Sequence, residues 1–569
     1  MEFYDHRRLE QLLEEDGATV IEALDRHAES FDARVAIVYG ETGEQRTFGD
    51  LARRTDSIAG NLAAFGVHSG DSVGVLTTNP LLSTEVMFAA WKCGAIYAPV
   101  NYMYAGSMLA YTLNDSAPAT LVVDAGLVGA VADVWDRLAH HPSVVLFGDA
   151  DGHVLPFQVT EFESLLSFSP RPTVDIETDT PCSLIYTSGT TGPSKGVLQP
   201  HRWLTQYTWP YRRRFTGQDV LYNDLPMYHV GGAYTNVAAA VWVGAQVVLW
   251  DRFSPNDFWI RIREHACTAA VLIDVMIPWL MAQPRSDQDR VNSLNKVHMQ
   301  PLPLRHHEFA ERFGIDVVTA GFGQTESGTT IHMVLEECED GEGTPDELYR
   351  GKTRQQLREE SAAAGVAVVE GRSVTRKAAT GRPLPFFHVA VLDEHDNPCP
   401  LGTPGHLGIR GKLPNLLFRE YIGKPDKTVE ATRNLWFHTG DLVVQDTDGL
   451  FYFLDRLGDR IRVRGENVSS VHVEEILQSY PGIEVCAVVG VPSERSDEDD
   501  IVAFVQPAEG ATLTVRELEG YAEATMPRFM RPLVYRITAE LPRTPTNKLE
   551  KHKLRAILLD NPAAAPGTD

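Results

Sequence analysis

A run of small and hydroxylated residues surrounds a single lysine in the stretch YTSGTTGPSKGV, at residues 186–197. Its glycines leave backbone N–H groups accessible, and its hydroxyls add further hydrogen-bond donors, so the run suits a polyphosphate. Lys195 would add a compensating positive charge. The order differs from the GxxxxGK[ST] phosphate-binding loop, because Ser194 precedes the lysine and Gly196 follows it. Taken alone, the stretch is also compatible with a mobile linker.

A second stretch, FGQTES at residues 322–327, combines an aromatic ring, small residues and a carboxylate. Phe322 could stack on a flat base, and Thr325 could bind a phosphate oxygen. Glu326 could hold a magnesium ion, which prefers oxygen ligands. The alternative is a junction between a strand and a turn, capped by Thr325.

Two further stretches carry a charged residue among turn-forming ones. In WFHTGDL, Asp441 follows a glycine turn, and a carboxylate there could accept both hydroxyls of a ribose. An aspartate that only forms the turn is the alternative. In LPRTPTNKLEK, Lys548 lies between turn residues and is therefore expected on a loop.

The elements that must position these residues alternate along the chain. Short apolar strands and helical segments follow one another from about residue 20 to 280, which predicts an α/β fold with largely parallel sheets. One predicted helix, TFGDLARRTDSIAGNLAAFG, begins with Thr47 as a candidate N-cap. Short strands with Gly/Pro turns occupy 385–455, and an α+β pattern follows Arg456. We therefore predict a large domain over 1–456 and a small C-terminal domain over 457–569.

A strongly charged segment at 334–376 interrupts the alternation inside the large domain. Pro345 stands where it could start a helix after an acidic loop. A solvated surface excursion is the favoured interpretation. A lid over the site and an oligomer contact, as in a homodimer, are the alternatives.

Composition limits the class of protein. The net charge of −26 disfavours nucleic acids and anionic membranes as partners, because both are negatively charged and bind proteins through clusters of Lys and Arg. The six cysteines are scattered, which indicates neither a disulfide framework nor a zinc site. The N-terminal residues contain no apolar signal core, and the most apolar segment, 238–250, is too short to span a bilayer. These features predict a cytoplasmic enzyme without a membrane or nucleic-acid partner.

In this order and spacing, the stretches resemble the adenylate-forming superfamily of acyl-CoA synthetases, non-ribosomal adenylation domains and luciferases, over roughly residues 20 to 555. GENVSS and LPRTPTNK are most similar to carnitine/crotonobetaine-type CoA ligases. The resemblance implies a large domain of αβ-layered sheets with a small β-barrel-like part, and a small, mobile α+β C-terminal domain. It also implies that ATP and Mg²⁺ activate a carboxylic acid as an acyl adenylate with loss of pyrophosphate. The acyl group then passes to a thiol, usually that of CoA, and AMP leaves.

The resemblance also assigns roles to residues. Lys548 would bridge the attacking carboxylate and the α-phosphate, and His229 would lie near that carboxylate. Thr325 would contact the α-phosphate, and Glu326 would coordinate Mg²⁺. Arg456 would support the ribose or a phosphate. The implied nucleotide- and CoA-binding residues are Thr187, Ser188, Gly189, Thr190, Thr191, Gly192, Lys195, Phe322, Asp441, Arg456 and Gly465.

The sequence departs from the superfamily where many members carry Gly-Gly-Ala-Pro. Here HMQPLP places Met299 and Gln300 at nominally small positions. Larger side chains could shorten the acid pocket and add a polar contact, so we expect a small or polar acid. Tyr234 and residues 271–284 are expected to line that pocket. A carrier-protein thiol, an amine acceptor or nitrite activation are alternative chemistries, and a non-catalytic nucleotide-binding protein is a third class.

Overall fold

The structure is a computed structural model. It describes residues 5–150, 152, 154–187, 194–273, 276–339, 341–456, 461–463, 466–468, 470–493, 499–526, 528–544 and 549–560. Two compact units account for the chain: the first comprises 1–189, 193–389 and 409–437, and the second comprises 190–192, 390–408 and 438–569. The boundary that we place at residues 456 and 457 stays a prediction.

The strands, in chain order, are β1 (Val35–Tyr39), β2 (Glu44–Thr47), β3 (Ser72–Leu76), β4 (Ile96–Pro99), β5 (Thr120–Asp124), β6 (Ser143–Phe147), β7 (Val159–Glu161), β8 (Pro181–Thr187), β9 (Lys195–Pro200), β10 (Val220–Asn223), β11 (Gln246–Leu249), β12 (Ala269–Ile273), β13 (Lys296–Gln300), β14 (Val317–Gln324), β15 (Gly328–Glu336), β16 (Ala367–Glu370), β17 (Ala379–Pro383), β18 (Phe387–Leu392), β19 (Gly405–Gly411), β20 (Glu420–Tyr421), β21 (Phe437–Gln445), β22 (Phe451–Arg456), β23 (Ile461–Val463), β24 (Glu466–Val468), β25 (Ile483–Pro492), β26 (Asp499–Pro507) and β27 (Val534–Ile537).

The helices are α1 (His6–Leu13), α2 (Val20–Phe31), α3 (Phe48–Ala64), α4 (Pro80–Lys92), α5 (Gly106–Ser116), α6 (Val128–Ala132), α7 (His201–Arg212), α8 (Ala239–Val243), α9 (Phe258–Glu264), α10 (Met276–Ala282), α11 (His306–Phe313), α12 (Arg354–Ala363), α13 (Pro425–Ala431), α14 (Ser470–Gln478), α15 (Val515–Thr525) and α16 (Lys551–Asp560). A π-helical segment, Gly231–Ala238, precedes α8.

Two large sheets build the first unit. One runs in the order β17-β15-β14-β13-β12-β10-β11-β1-β2, and its strands from β1 and β11 through β10, β12, β13 and β14 pair in parallel. The other runs β20-β9-β8-β4-β3-β5-β6-β7, with parallel pairing from β8 to β7. Parallel strands need crossover connections, which the intervening helices supply. The predicted α/β class with large sheets is confirmed.

Local sequence explains where the helices begin. Thr47 accepts a hydrogen bond from the backbone N–H of Asp50, and the Asp50 side chain accepts one from the Thr47 backbone, which is a capping box. The predicted N-cap is therefore confirmed. At α4 the Asn79 side chain accepts hydrogen bonds from the backbone N–H groups of Leu81 and Leu82, and Pro80 follows at a position where a helix needs no N–H.

Helix α7 is anchored by the N-terminal segment. The buried guanidinium of Arg212 donates to both carboxylate oxygens of Asp16 at 2.8 Å and to the carbonyl of Leu13 at 2.7 Å. The indole of Trp209 donates to the carbonyl of Leu12. These contacts hold a helix whose other side chains reach the candidate site described below.

The charged segment joins the first sheet and is not only a surface excursion. After a turn that starts at Pro345, helix α12 begins at Arg354 with Thr353 as its N-cap, so the predicted helix start at Pro345 is wrong. Strand β16 then pairs in parallel with β15. The carbonyl of Arg350 accepts hydrogen bonds from Asn295 and from Lys296, whose ammonium forms a fully buried ion pair with Asp219 at 2.9 Å.

The second unit contains a three-stranded sheet, β25-β26-β27, and the hairpin β23-β24. An apolar core joins this sheet to α14 and α15. The ammonium of Lys551, at the start of α16, contacts Glu474 at 2.8 Å and Ser470 at 2.6 Å, both on α14. The small α+β C-terminal domain is confirmed. No helix in the described part of the chain is both long and apolar enough to span a bilayer.

Candidate active site

The two described ends of the hydroxyl-rich stretch lie on neighbouring β-strands. Strands β8 and β9 pair antiparallel, and Thr187 lies directly opposite Lys195 at the last pair. Residues 188–193 connect them, so the predicted phosphate-binding residues Ser188, Gly189, Thr190, Thr191 and Gly192 lie outside the described residues. The two described ends of the stretch nevertheless bring a hydroxyl and an ammonium to one edge of the sheet.

Polar contacts hold the base of this hairpin. The phenol of Tyr111, on α5, donates to the carbonyl of Ser194 at 2.8 Å. Asp115 accepts from Tyr186 at 3.0 Å and pairs with Lys424 at 2.7 Å. Burial raises the pKa of Tyr186, and the Asp115 charge raises it further. Burial would lower the pKa of Lys424, but the contacts with Asp115 and Tyr111 outweigh it, and the net shift is upward.

The stretch FGQTES forms the end of the β14–β15 hairpin, with Thr325, Glu326 and Ser327 in the turn. The carbonyls of all three turn residues accept hydrogen bonds from buried side chains of β9 and α7. These are Gln199 Nε2 to Thr325 O at 2.7 Å, Trp203 Nε1 to Glu326 O at 3.3 Å, and Gln206 Nε2 to Ser327 O at 3.1 Å. The turn is therefore held from its backbone and by the Ser327 hydroxyl, which accepts from the backbone N–H of Gln324 and donates to the carbonyl of Gly328, so the side chains of Thr325 and Glu326 are the ones that can contact a ligand.

Gly328 is required immediately after the turn. Its φ is +65°, in the left-handed region that L-residues avoid. A Cβ there would also lie 1.7 Å from Nε2 of Gln206, which is fully buried and donates to two carbonyls. No side chain fits at this position unless Gln206 gives up those bonds.

Glu326, Tyr421 and Lys195 form a compact group, which we call the Glu326 array. The phenol of Tyr421 donates to Oε1 of Glu326 at 2.9 Å, and the ammonium of Lys195 lies 4.2 Å from the centre of the Tyr421 ring. Tyr421 lies on β20, which pairs with β9 beside Lys195. Burial and the neighbouring Glu326 carboxylate both raise the pKa of Tyr421, so the phenol stays protonated and donates.

The carboxylate of Glu326 has the chemistry of a Mg²⁺ ligand. It is 9% exposed, and among the described residues no hydrogen bond reaches its Oε2. Within the same residues, no three His, Cys, Asp or Glu side chains converge as a metal site. A single carboxylate suits Mg²⁺, which commonly takes one or two protein carboxylates and completes its shell with phosphates and water. The residues present therefore fit a Mg²⁺ ion carried by a polyphosphate.

Two other predicted site residues, Phe322 and His229, also belong to the first unit. Phe322 is a largely buried residue of β14, three positions before the turn, and faces Ile331 across the hairpin. His229 precedes the π-helical segment at the carboxyl end of β10, and its Nδ1 lies 3.5 Å from the backbone N of Gly231. π-helical segments occur frequently at functional sites.

Tyr234, expected to line the acid pocket, is a core residue. It is fully buried, and its ring lies 6.0 Å from Trp91, 5.9 Å from Trp203 and 6.2 Å from Tyr207. Met299 is also fully buried, whereas Gln300 is partly exposed.

The remaining predicted residues belong to the second unit. Asp441 is buried on β21 and lies opposite Arg456 of β22 in the antiparallel register. Gly440 precedes it with a φ of +78°, consistent with a glycine turn before the carboxylate. The side chain of Arg456 lies outside what the structure describes, as do Gly465 and Lys548.

Sequence analysis missed Tyr421 and the residues that hold the turn. Tyr421 is 95 positions from Glu326, and Gln206 is 121 positions from Ser327. No local pattern marks such residues, because their role depends on contacts that only the folded sheets create.

Known proteins with the same architecture were found by sequence and by structure. The family described as AMP-binding enzyme matches residues 24–422, and the family described as AMP-binding enzyme C-terminal domain matches residues 472–548. The crotonobetaine/carnitine–CoA ligase of Salmonella agona is 29% identical over 530 residues, covering 90% of this chain and 93% of that protein. The ligase of the same name from Citrobacter koseri is 28% identical over 564 residues, covering 95% and 99%.

Solved structures agree on the fold. An anthranilate CoA ligase in complex with anthranoyl-AMP superposes with a TM-score of 0.79 at 20% identity, covering 95% of this chain and 97% of that one. ATP-bound MatB from Rhodopseudomonas palustris gives 0.77 at 23% identity, covering 95% and 99%. The predicted membership of the adenylate-forming superfamily is thus confirmed: the chain belongs to the AMP-binding enzyme family, with CoA ligases among its relatives and structural neighbours.

Proposed function

We propose that this enzyme uses ATP and Mg²⁺ to adenylate a small or polar carboxylic acid, and then transfers the acyl group to CoA with release of AMP. The Glu326 array carries this proposal, because it joins a metal-binding carboxylate, a phenol that orients it, and the lysine of the hydroxyl-rich hairpin. Membership of the AMP-binding family supports the adenylation step. The names of the similar relatives, which are CoA ligases, support CoA as the acceptor.

The hairpin end would bind the β- and γ-phosphates. Thr187 and Lys195 face each other where the hydroxyl-rich loop begins and ends. No carboxylate of the described residues lies within ion-pairing distance of the Lys195 ammonium, whose neighbour is the Tyr421 ring. Its charge therefore remains available to a polyphosphate, and a stack on an aromatic ring is worth only about 0.5–1 kcal/mol at accessible sites.

The β14–β15 turn would bind the α-phosphate and the metal. Thr325 supplies a hydroxyl and Glu326 a carboxylate, on a backbone held by three side-chain hydrogen bonds. Bound Mg²⁺ would offset phosphate charge, so that an anionic carboxylate can approach the α-phosphorus. Adenylation joins two anions, so prepositioned charges of this kind supply much of the catalysis.

The proposal also gives roles to residues of the second unit. Asp441 would accept the ribose hydroxyls, and Arg456 would support the ribose or a phosphate. Lys548 would bridge the carboxylate and the α-phosphate, because an ammonium on a long stem can reach both. Gly465 would let the pantetheine of CoA approach the backbone closely. His229 would lie by the carboxylate of the acid.

The test is formation of AMP from Mg-ATP with a panel of small acids, with and without CoA, followed by mass spectrometry. We expect AMP release that requires both CoA and an acid of the panel, together with a new thioester mass. Glu326→Gln should abolish it, whereas Glu163→Gln, on an exposed segment, should have no effect. Adenylate formation that ignores CoA would refute CoA as the acceptor and point to an amine or a carrier protein. Nucleotide binding without turnover on any acid would refute the ligase.

A further inference from the structure

A buried polar group lies on the sheet that carries the Thr325–Ser327 turn. Arg214, two residues beyond α7, contacts Thr319 on β14, which in turn contacts His298 on β13. His332 on β15 stacks on His298, with ring centres 6.0 Å apart, and Gln300 completes the group. We call these residues the Arg214 cluster. All belong to the first unit.

The cluster shares a hairpin with the Thr325–Ser327 turn. Gly321 lies opposite His332, and Gln324 lies opposite Gly328. Gln324 lies three positions after Gly321, which is roughly 10 Å of strand. The cluster therefore lies one small-molecule length from the turn that we assign to the α-phosphate.

The hydrogen bonds of the cluster determine its protons. Arg214 can only donate, so Thr319 Oγ1 accepts from it. Gln300 Oε1 can only accept, so the ring proton of His298 faces Gln300, and Thr319 Oγ1 donates a hydrogen bond to His298 Nδ1, 3.0 Å away. A neutral His298 then carries its proton on Nε2 and donates it to Gln300 Oε1 at 3.1 Å. Burial, and then the Arg214 charge, lowers the pKa of His298 to about 3, so the ring stays neutral. The amide NH₂ of Gln300 is left as a donor.

Several donors of the cluster have no partner. Arg214 is 4% exposed, its Nε has no hydrogen bond, and no carboxylate of the described residues lies within ion-pairing distance. His332 is 1% exposed, and neither of its ring nitrogens has a partner. A buried guanidinium without a counter-charge costs several kcal/mol, typically about 3–5 kcal/mol when a partner is missing. Such a group is stable where a ligand or water supplies the missing acceptor.

Two backbone features determine which groups lie beside these donors. At Gly321 the two strands approach closely: a Cβ built there would lie 2.7 Å from the carbonyl oxygen of Ile331 and 3.1 Å from Nδ1 of His332, so only glycine backbone lies against this nitrogen. The pairing also shifts at Thr330, which has no opposite residue on β14. This bulge places both Thr329 and His332 against Tyr211, although their separation of three positions would put them on opposite faces of a regular strand.

We infer that the Arg214 cluster binds a second, anionic group of the acid, so that the preferred substrate is a dicarboxylic acid activated at the carboxylate remote from Arg214. This inference rests on the proposed function. The free positions are mostly donors: the remaining N–H groups of Arg214, the amide of Gln300 and one nitrogen of His332. A carboxylate accepts from all of them and balances the buried charge, which a hydroxyl or an alkyl chain does not.

The test compares acids matched in length: butyrate with succinate, pentanoate with glutarate, and hexanoate with adipate. Binding is measured by titration calorimetry on the full-length chain with Mg-ATP present, and turnover as AMP release. We expect one dicarboxylate to exceed its matched monocarboxylate by about 100-fold or more, since a site built to pair a polar group rejects the analogue without it. Equal binding of matched pairs would mean that only water occupies the cluster and would overturn the inference.

Variants test whether the Arg214 cluster causes the preference for the dicarboxylate. Arg214→Gln should lower binding of the dicarboxylate to that of its matched monocarboxylate, whereas Arg53→Gln, on an exposed surface pair, should keep the preference for the dicarboxylate. His332→Phe, which keeps a ring of similar shape, provides the same comparison if Arg214→Gln does not fold. A folded variant of either kind that keeps the full preference would refute the inference.

The two proposals fail differently. Dicarboxylate binding that depends on Arg214, without any AMP formation, would refute the proposed ligase activity while supporting the cluster. AMP formation from monocarboxylates only would support the ligase and overturn the cluster.

Discussion

Substitution of Gly328 by alanine tests how the Glu326 turn is held. An alanine at a φ of +65° costs roughly 1–2 kcal/mol. Its Cβ would also displace the buried amide of Gln206, which donates to the carbonyls of Ser327 and Leu416 at 3.1 Å each. Each carbonyl left without a donor adds roughly 1–3 kcal/mol. We therefore expect the hairpin to lose about 3–8 kcal/mol of local stability, the sum of these contributions.

The matched control is Gly365→Ala. Gly365 has a φ of +74°, and no heavy atom lies within 4 Å of the position that an added Cβ would occupy, so this change isolates the backbone cost of about 1–2 kcal/mol. Hydrogen exchange measured by mass spectrometry over residues 317–336 reports the local opening free energy. The KM for Mg-ATP should rise with Gly328→Ala, because a misplacement of about 1 Å in a positioning element can cost about 100-fold in rate.

A double variant provides the decisive comparison. In a Gln206→Ala background the collision is absent, so Gly328→Ala should cost no more than Gly365→Ala does. If the cost of Gly328→Ala is the same with and without Gln206, the side chain does not hold the turn, and our account of the site is wrong.

Three further changes have expected outcomes. Tyr421→Phe removes the hydrogen bond to Glu326 but keeps the ring, so kcat/KM for Mg-ATP should fall by about 10- to 100-fold, and unchanged kinetics would refute the array. Burial raises the pKa of Asp224 from 3.8 to about 7, so its contribution to stability is complete below pH 4 and is lost as the pH rises through 7. The free energy of urea unfolding of Asp224→Asn, relative to that of the unsubstituted protein, should therefore rise by up to about 4 kcal/mol between pH 4 and 7. A difference between the two proteins that does not change with pH would contradict this. Lys296→Met leaves Asp219 buried and unpaired, so urea unfolding should show a loss of about 3–5 kcal/mol, and a loss below about 1 kcal/mol would contradict the buried pair.

Much of the fold could be predicted because it follows from local patterns. The alternation of apolar strands and helices predicts the α/β class, and the capping box at Thr47 and Asp50 depends on residues three apart. The charged segment was harder to interpret. Its polar composition predicts a surface excursion, but the pairing of β16 with β15 and the buried contact between Lys296 and the carbonyl of Arg350 are long-range events that composition does not encode.

The sequence by itself determined the chemistry available to this protein. The types and order of Lys195, Thr325 and Glu326, within stretches rich in glycine and hydroxyls, indicate binding of a nucleotide polyphosphate and membership of the adenylate-forming superfamily, because such chemistry needs those groups on short turns. Only the tertiary structure decided that Tyr421 links Glu326 to Lys195, and that Arg214 is buried without a carboxylate. Both depend on the pairing of strands far apart in the chain, which sets distances that no local pattern contains.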